Sequence, residues 1–263
     1  MGAVATPQEV QATFERYLRV DTFPLGVKLL RPGDPLPEGV RVPSETLGER
    51  WIVCQSIGVA RRYGWAVAVG REDVVCPLAA VAFGLRRASQ RLAAGEAALG
   101  MYCGDPEAAA RMEEAVWRLP PGTYDRVCVA PLQKASFVPD VGVVYGNSAQ
   151  VMRLVNAALY RRGGRLQSTV QGRLDCAELV IQPFLTNEPK VVLPCNGDRV
   201  FGMAQDTEVA FGFPWSLADE LLEGLAATHR GGVRYPIPVA MRATPVMPER
   251  YQELLATLPD DQG

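Results

Sequence analysis

A chain of 263 residues that is 48% hydrophobic and 21% charged carries enough apolar material for one large core or two closely packed halves. Its formal net charge of −2 gives no electrostatic reason to bind nucleic acid or an anionic membrane. The longest apolar run beside a cysteine, VVCPLAAVAFGL, has 12 residues, too few to cross a bilayer, and the expected compartment is the cytoplasm.

The opening MGAVAT fits the permissive pattern for an acylated Gly2 with Thr6, but nothing basic follows and it reads as chance. TPQEVQATFERYLRV predicts a first helix: Thr6 caps it, Pro7 suits its first turn, and Val10, Phe14, Tyr17 and Leu18 share a face. FPLGVKLL predicts a short strand with Lys28 embedded among apolar neighbours. There a charged head needs a bound anion, a protein partner or an exit to solvent. Residues 31–49 hold four prolines and three glycines and read as loop. RWIVCQSIGVARRYG enters a helix that Gly64 ends, WAVAVG is a buried strand, and Asp73 to Leu85 reads as a helix with Pro77 near its start.

GDPEAAARMEEAVWRL predicts a helix capped by Asp105, followed by strands in YDRVCVAPL and in residues 140–146. SAQVMRLVNAALYRRGG predicts an amphipathic helix, with Asn147 and Gln150 as caps or as bonds to a polar ligand. RLQSTVQG reads as a strand, DCAELVIQPF as a short helix or extended segment, and VVLPCNGDRVFGM as strand, tight turn, strand. SLADELLEGLAATHR and ERYQELLATL close the chain as helices. The fold class expected is α+β, or mixed α/β, in a single globular unit spanning residues 1–263.

An internal echo suggests two similar halves. RRYGWAVAVGREDVVC at 61–76 and RRGGRLQSTVQGRLDC at 161–176 share Arg, Arg, Gly and Cys at matching places, and both read as helix, glycine stop, strand, cysteine. Halves at about 20–120 and 121–225, with an extension at 226–263, would pack about a pseudo-two-fold axis and bring distant loops together.

Six cysteines lie at 54, 76, 103, 128, 176 and 195, with no CxxC and no short framework spacing. Cys76 reads as a helix N-cap ahead of Pro77, Cys176 as one place inside a helix start beside the cap candidate Asp175. Cys54 ends an apolar run, and Cys195 sits on a Pro-Cys-Asn-Gly turn. Four thiols at element boundaries suit a thiophilic metal or an iron–sulfur cluster, which need deprotonated sulfur; small buried apolar residues are the plainer reading. Cys128 reads as core. Lys28, Gln150 and Arg199 are the candidate ligand-binding residues, Arg199 with Asp198 or Asp206 as competing partners. His229 alone cannot build a triad or a His-rich metal site, and no GxSxG, HExxH, P-loop or GxGxxG occurs.

The succession PLGVKL, CQSIGVARRYG, VVCPLAAVAFGL, NSAQVMRLVNAALYRRGG, DCAELV and PCNGDR resembles the prokaryotic family called domain of unknown function 169, over about residues 20–225. The resemblance implies a single soluble unit; its recognisable segments hold Cys54, Cys76, Cys176 and Cys195 with Lys28, Gln150, Gly164 and Arg199. It implies no activity. Three readings therefore stand together. The first is a protein holding an iron–sulfur cluster or thiophilic metal between its halves, with redox or sulfur chemistry. The second is a non-catalytic small-molecule sensor lined by Trp51, Trp65, Phe83, Phe201 and Phe213, and the third an enzyme with Cys76 as a low-pKa nucleophile. Partners would be a small molecule or metal, with a homo-oligomer compatible.

Overall fold

Alternation of apolar residues along short β-branched runs builds a sheet with two buried faces. The computed structural model describes residues 5–237 and 245–259, so Gly2 of the N-terminal pattern lies outside the described residues, as do positions 238–244 of the proline-rich tail. The strands are β1 (Leu25–Leu30), β2 (Val67–Gly70), β3 (Arg126–Pro131), β4 (Val141–Gly146), β5 (Lys190–Val192) and β6 (Val209–Pro214). They form one sheet in the order β2-β3-β1-β4-β6-β5, and every neighbouring pair is antiparallel.

The helices are α1 (Pro7–Tyr17), α2 (Pro43–Thr46), α3 (Val53–Tyr63), α4 (Pro77–Ala82), α5 (Gln90–Ala93), α6 (Pro106–Glu114), α7 (Ser148–Leu159), α8 (Gln182–Thr186), α9 (Asn196–Phe201), α10 (Ala218–Arg230) and α11 (Glu249–Ala256). A π-helical turn, Ala177–Ile181, leads into α8. This is the α+β class expected, and no described helix is long and apolar enough to cross a membrane.

Period-two alternation assigns each strand's side chains to a layer. Val141, Val143 and Tyr145 of β4 join Leu25, Val27 and Leu29 of β1 in a core beneath α3, α4 and the π-turn. Val144 faces the other way, with Phe211 and Phe213, into a second core closed by α1, α7 and α10. Gly142 has no side chain because Phe213 crosses over it: a Cβ there would lie 2.1 Å from the ring.

Matching β1, β2 and β3 with β4, β5 and β6 makes the strand order read the same from either edge. At the centre β1 and β4 run antiparallel with Gly26 opposite Gly142. In each set a helical segment precedes the edge strand, another helix follows it, and the inner strand ends in proline before a 3₁₀ turn, Leu132–Lys134 or Trp215–Leu217.

The echo spaced by 100 residues does not follow this arrangement. Cys76 comes after edge strand β2, whereas Cys176 comes before edge strand β5, so the two are not equivalent. By position Cys54 answers to Cys176, each opening the helix ahead of an edge strand, and Cys76 answers to Cys195, each capping the helix after it.

Three local expectations change as well. Residues 165–172 are coil, not strand; they meet the nearby edge strand β5 through side chains, Ser168 Oγ accepting from Val191 N at 2.8 Å and Lys190 Nζ donating to Gln167 O at 3.2 Å, not through a backbone ladder. The helix expected from Asp73 starts at Pro77, because the residue before a proline is held extended and Cys76 is so held at φ −79°, ψ 113°. After Cys195 the chain forms α9 in place of a turn and strand.

Candidate functional site

Two helix starts and one helix cap meet beneath β4. Cys54 is the second residue of α3, whose Val53, Ile57 and Ala60 bury toward the sheet and whose end is fixed by Gly64 in the left-handed region (φ 71°). Gly58 lets α3 close onto the end of α9, since a Cβ there would lie 2.4 Å from the carbonyl oxygen of Gly202. Cys176 directly precedes the π-turn, a widened helical form that recurs at functional sites, and all five residues of that turn are buried. Cys195 is the N-cap of α9, in extended backbone.

These elements bring together side chains that are far apart in sequence. One donor atom each from Cys54, Asp175 and Cys176 lies within 4.8 Å of the other two, and all three residues are buried. Asp175 is the hub. Its Oδ1 accepts from Cys195 Sγ at 3.2 Å and from Cys54 Sγ at 3.9 Å, across 121 positions of sequence. Its Oδ2 accepts from the backbone N of Cys195 at 3.1 Å. Cys76, half-buried, accepts from Ala79 N at 3.5 Å as the N-cap of α4, and its charge would oppose ionisation of Cys176.

A second group of buried polar residues backs the thiols. Asp198 Oδ2 accepts from the Tyr145 hydroxyl at 2.8 Å, and its Oδ1 is buried with no hydrogen-bond partner. Arg61, 1% exposed, lies 4.1 Å over the Tyr145 ring and forks onto Glu208 at 2.7 and 3.0 Å. Glu208 also takes Arg62 at 3.2 Å, and both arginines hold backbone carbonyls of the Gly202–Met203 corner. The corner that closes α9 is thus tied to α3 by two guanidinium groups.

The electrostatics favour neutral forms when no cation is bound. Burial, reinforced by charge on Cys195, raises Asp175 to about 7. Burial, then the charge of Asp175, raises Asp198 to about 8. The hydrogen bond with Cys176, opposed by one from Cys195 and joined by burial, pushes Cys54 well above an ordinary thiol. The same bond seen from Cys176 lowers that thiol, but burial and Asp175 outweigh it and carry Cys176 to about 11. Cys195 is raised by its bond with Cys54 and by burial. Such thiols are poor free nucleophiles, and a cation is the natural means of ionising them.

The other residues singled out from sequence have partners of their own. Lys28 donates to Asp140 Oδ1 at 2.9 Å. Gln150 completes the capping box of α7 and donates to the carbonyls of Leu18 and Arg19 at 3.1 and 3.0 Å. Arg199 holds Gln205 O and Asp206 at 3.1 and 3.2 Å, so the sequence's competing carboxylate is Asp206, while Asp198 turns inward. Cys128 is core on β3. The aromatics proposed for one pocket do not line one. Trp51 stacks on Trp65 in the core that holds Phe83, Phe213 lies across the sheet in the other core, and Phe201 is 58% exposed. Asp175, Asp198, Tyr145, Arg61 and Glu208 emerge only from the fold. The signal for the first was its place beside Cys176, which reads equally well as a helix cap.

Comparison with known proteins bears out the family resemblance read from the sequence. The model of a family described as uncharacterised ArCR, domain of unknown function 169, matches residues 13–224. The chain is 31% identical over 205 residues to an uncharacterized protein of Methanocaldococcus jannaschii, covering 76% of this chain and 85% of that one. No solved structure matches.

Proposed function

The chain belongs to the domain of unknown function 169 family, and within that fold we propose that it is a thiophilic-metal protein whose Cys54, Cys176, Cys195 and Asp175 hold one ion. The reading rests on one observation: Cys54, Asp175 and Cys176, from opposite halves of the sequence, place donor atoms within 4.8 Å of one another, with Cys195 hydrogen-bonded to the same carboxylate. Donors bound at about 2.3 Å around a tetrahedral ion sit roughly 3.8 Å apart, so this spacing suits a single zinc or ferrous ion. An iron–sulfur cluster needs its thiolates farther apart, and would call on Cys76 as the remaining sulfur.

The two-half reading supports the same conclusion. With Cys54 equivalent to Cys176 and Cys76 to Cys195, the centre would lie where a duplicated unit meets itself, each half giving one helix-start cysteine and one cap cysteine. The acids Asp175 and Asp198 belong to one half only and would give the centre a carboxylate side. Tyr145, Asp198 and Arg61 would act behind it, orienting Asp175 and offsetting its charge. When bound, the ion would supply Lewis acidity and a stabilised thiolate; the chain's part is to hold the donors and exclude water.

Anaerobic loading of the purified chain with zinc or ferrous ion, followed by metal and acid-labile sulfide analysis, tests the reading. One ion per chain without sulfide is expected. Bound iron with equimolar sulfide would replace the single ion by a cluster, and a chain that retains neither ion nor cluster would remove the proposal.

A further inference from the structure

On the other side of the segment that carries Asp175 and Cys176 lies a cleft of about 290 Å³, at the small end of ligand-pocket sizes. Leu174 and Ala177 line it, so four consecutive residues serve both places: 174 and 177 face the cleft, 175 and 176 face the thiols. Val116 and Trp117 add apolar wall, and Thr169, oriented by a 2.9 Å bond from Gln182, adds a hydroxyl. The charged lining group is Glu178. It is 5% exposed; its Oε1 accepts from the backbone N of Gln171, and its Oε2 is buried with no hydrogen-bond partner.

A buried carboxylate oxygen without a donor costs free energy unless something supplies one. Here the residue that carries it lines an apolar cleft with an indole in its wall, so a small turn of the carboxyl would present that oxygen to the cleft. We propose that this cleft binds a small amine: a flat apolar body packed between Trp117 and Leu174, with an ammonium head donating to Glu178 Oε2. An aromatic or branched aliphatic amine fits both the size and the single anionic acceptor, whereas an anion of the same shape meets Glu178 unfavourably. The site needs no ion at the thiols and is independent of the metal reading.

The test uses the full chain, metal-free and reduced, with benzylammonium as the probe followed by NMR. Saturable binding with a dissociation constant of about a millimolar is expected for so small a ligand. Glu178→Gln should weaken it roughly tenfold or more through loss of the charged hydrogen bond, and benzoate should not bind. Should Glu178→Gln fail to fold, Val170→Trp serves, since Val170 lines the cleft at 51% exposure and a bulky ring there obstructs the mouth without disturbing the core. Benzylammonium that does not saturate, or that binds both variants as tightly as the unaltered chain, overturns the assignment. Retention of binding in Cys54→Ser supports a separate cleft; loss of it there would place the amine among the thiols and overturn it too.

Discussion

Replacing Asp175 with Asn keeps the shape of the hub while removing its charge, and the consequence for stability depends on pH. Burial holds the Asp175 carboxyl at about 7, against an ordinary value near 4 in the unfolded chain. Between those values the folded protein keeps a proton that the unfolded chain has released. Stability therefore falls as pH rises from about 4 to about 7 and levels off above, by about 1.4 kcal/mol per pH unit for each such group. Across this interval the carboxylate costs about 4 kcal/mol. Coupling to Asp198, whose own proton shares the load, brings the part relieved by one substitution to about 2–4 kcal/mol. An amide at position 175 can still accept from the backbone N of Cys195 and can donate to Asp198. Metal-free Asp175→Asn should accordingly match the unaltered chain at pH 4 and exceed it by about 2–4 kcal/mol at pH 8 in urea unfolding under reducing conditions. A variant equally destabilised at both pH values would refute the reasoning, since the residue would then act as a plain hydrogen-bonding strut.

Further expectations follow from the same geometry. Ion binding must release the thiol protons, so between pH 7 and 9 the apparent zinc affinity should rise about a thousandfold per pH unit, three protons leaving per ion; a competition titration with a chelator of known pH dependence measures this. Cys54→Ser should lower affinity at least about a hundredfold, one donor's share of a four-ligand site, while leaving the far-ultraviolet circular dichroism spectrum unchanged. Arg61→Met leaves Glu208 to Arg62 alone and uncovers Tyr145, and should cost about 1–3 kcal/mol in urea unfolding. Gly58→Ala forces α3 away from Gly202 and should cost about 1–3 kcal/mol with a parallel drop in ion affinity; stability lost with affinity intact would detach the helix contact from the site.

Local chemistry made much of the fold legible. Thr6, Asp105 and Asn147 cap helices as their positions imply, and VAVG within WAVAVG, RVCVAP and VGVVYG are strands with the expected apolar runs. The failures share a cause in tertiary context. Residues 165–172 read as a strand, but they meet the edge strand β5 through the side chains of Ser168 and Lys190 and form no backbone ladder with it. The Asn196-Gly197 pair has the composition of a tight turn, yet Cys195 caps a helix there. Strand β6 is buried on both faces, so VAFGFP lacks the alternation that marks a strand with one wet side. At the site the cysteines could be singled out by their places at element boundaries, but their meeting depends on which strands become neighbours. The repeat spaced by 100 residues matched letters rather than places in the sheet. In sequence Asp198 reads as a partner for Arg199 beside a tight turn, and Tyr145 as one more residue of an apolar strand, so neither points to the thiols.

The central claim is that sulfur atoms from both halves of the sequence bind one ion. X-ray absorption at the zinc edge of the zinc-loaded chain reads that coordination shell directly. Three sulfur neighbours at about 2.3 Å with one oxygen at about 2.0 Å are predicted; a shell of nitrogen and oxygen alone would contradict the account.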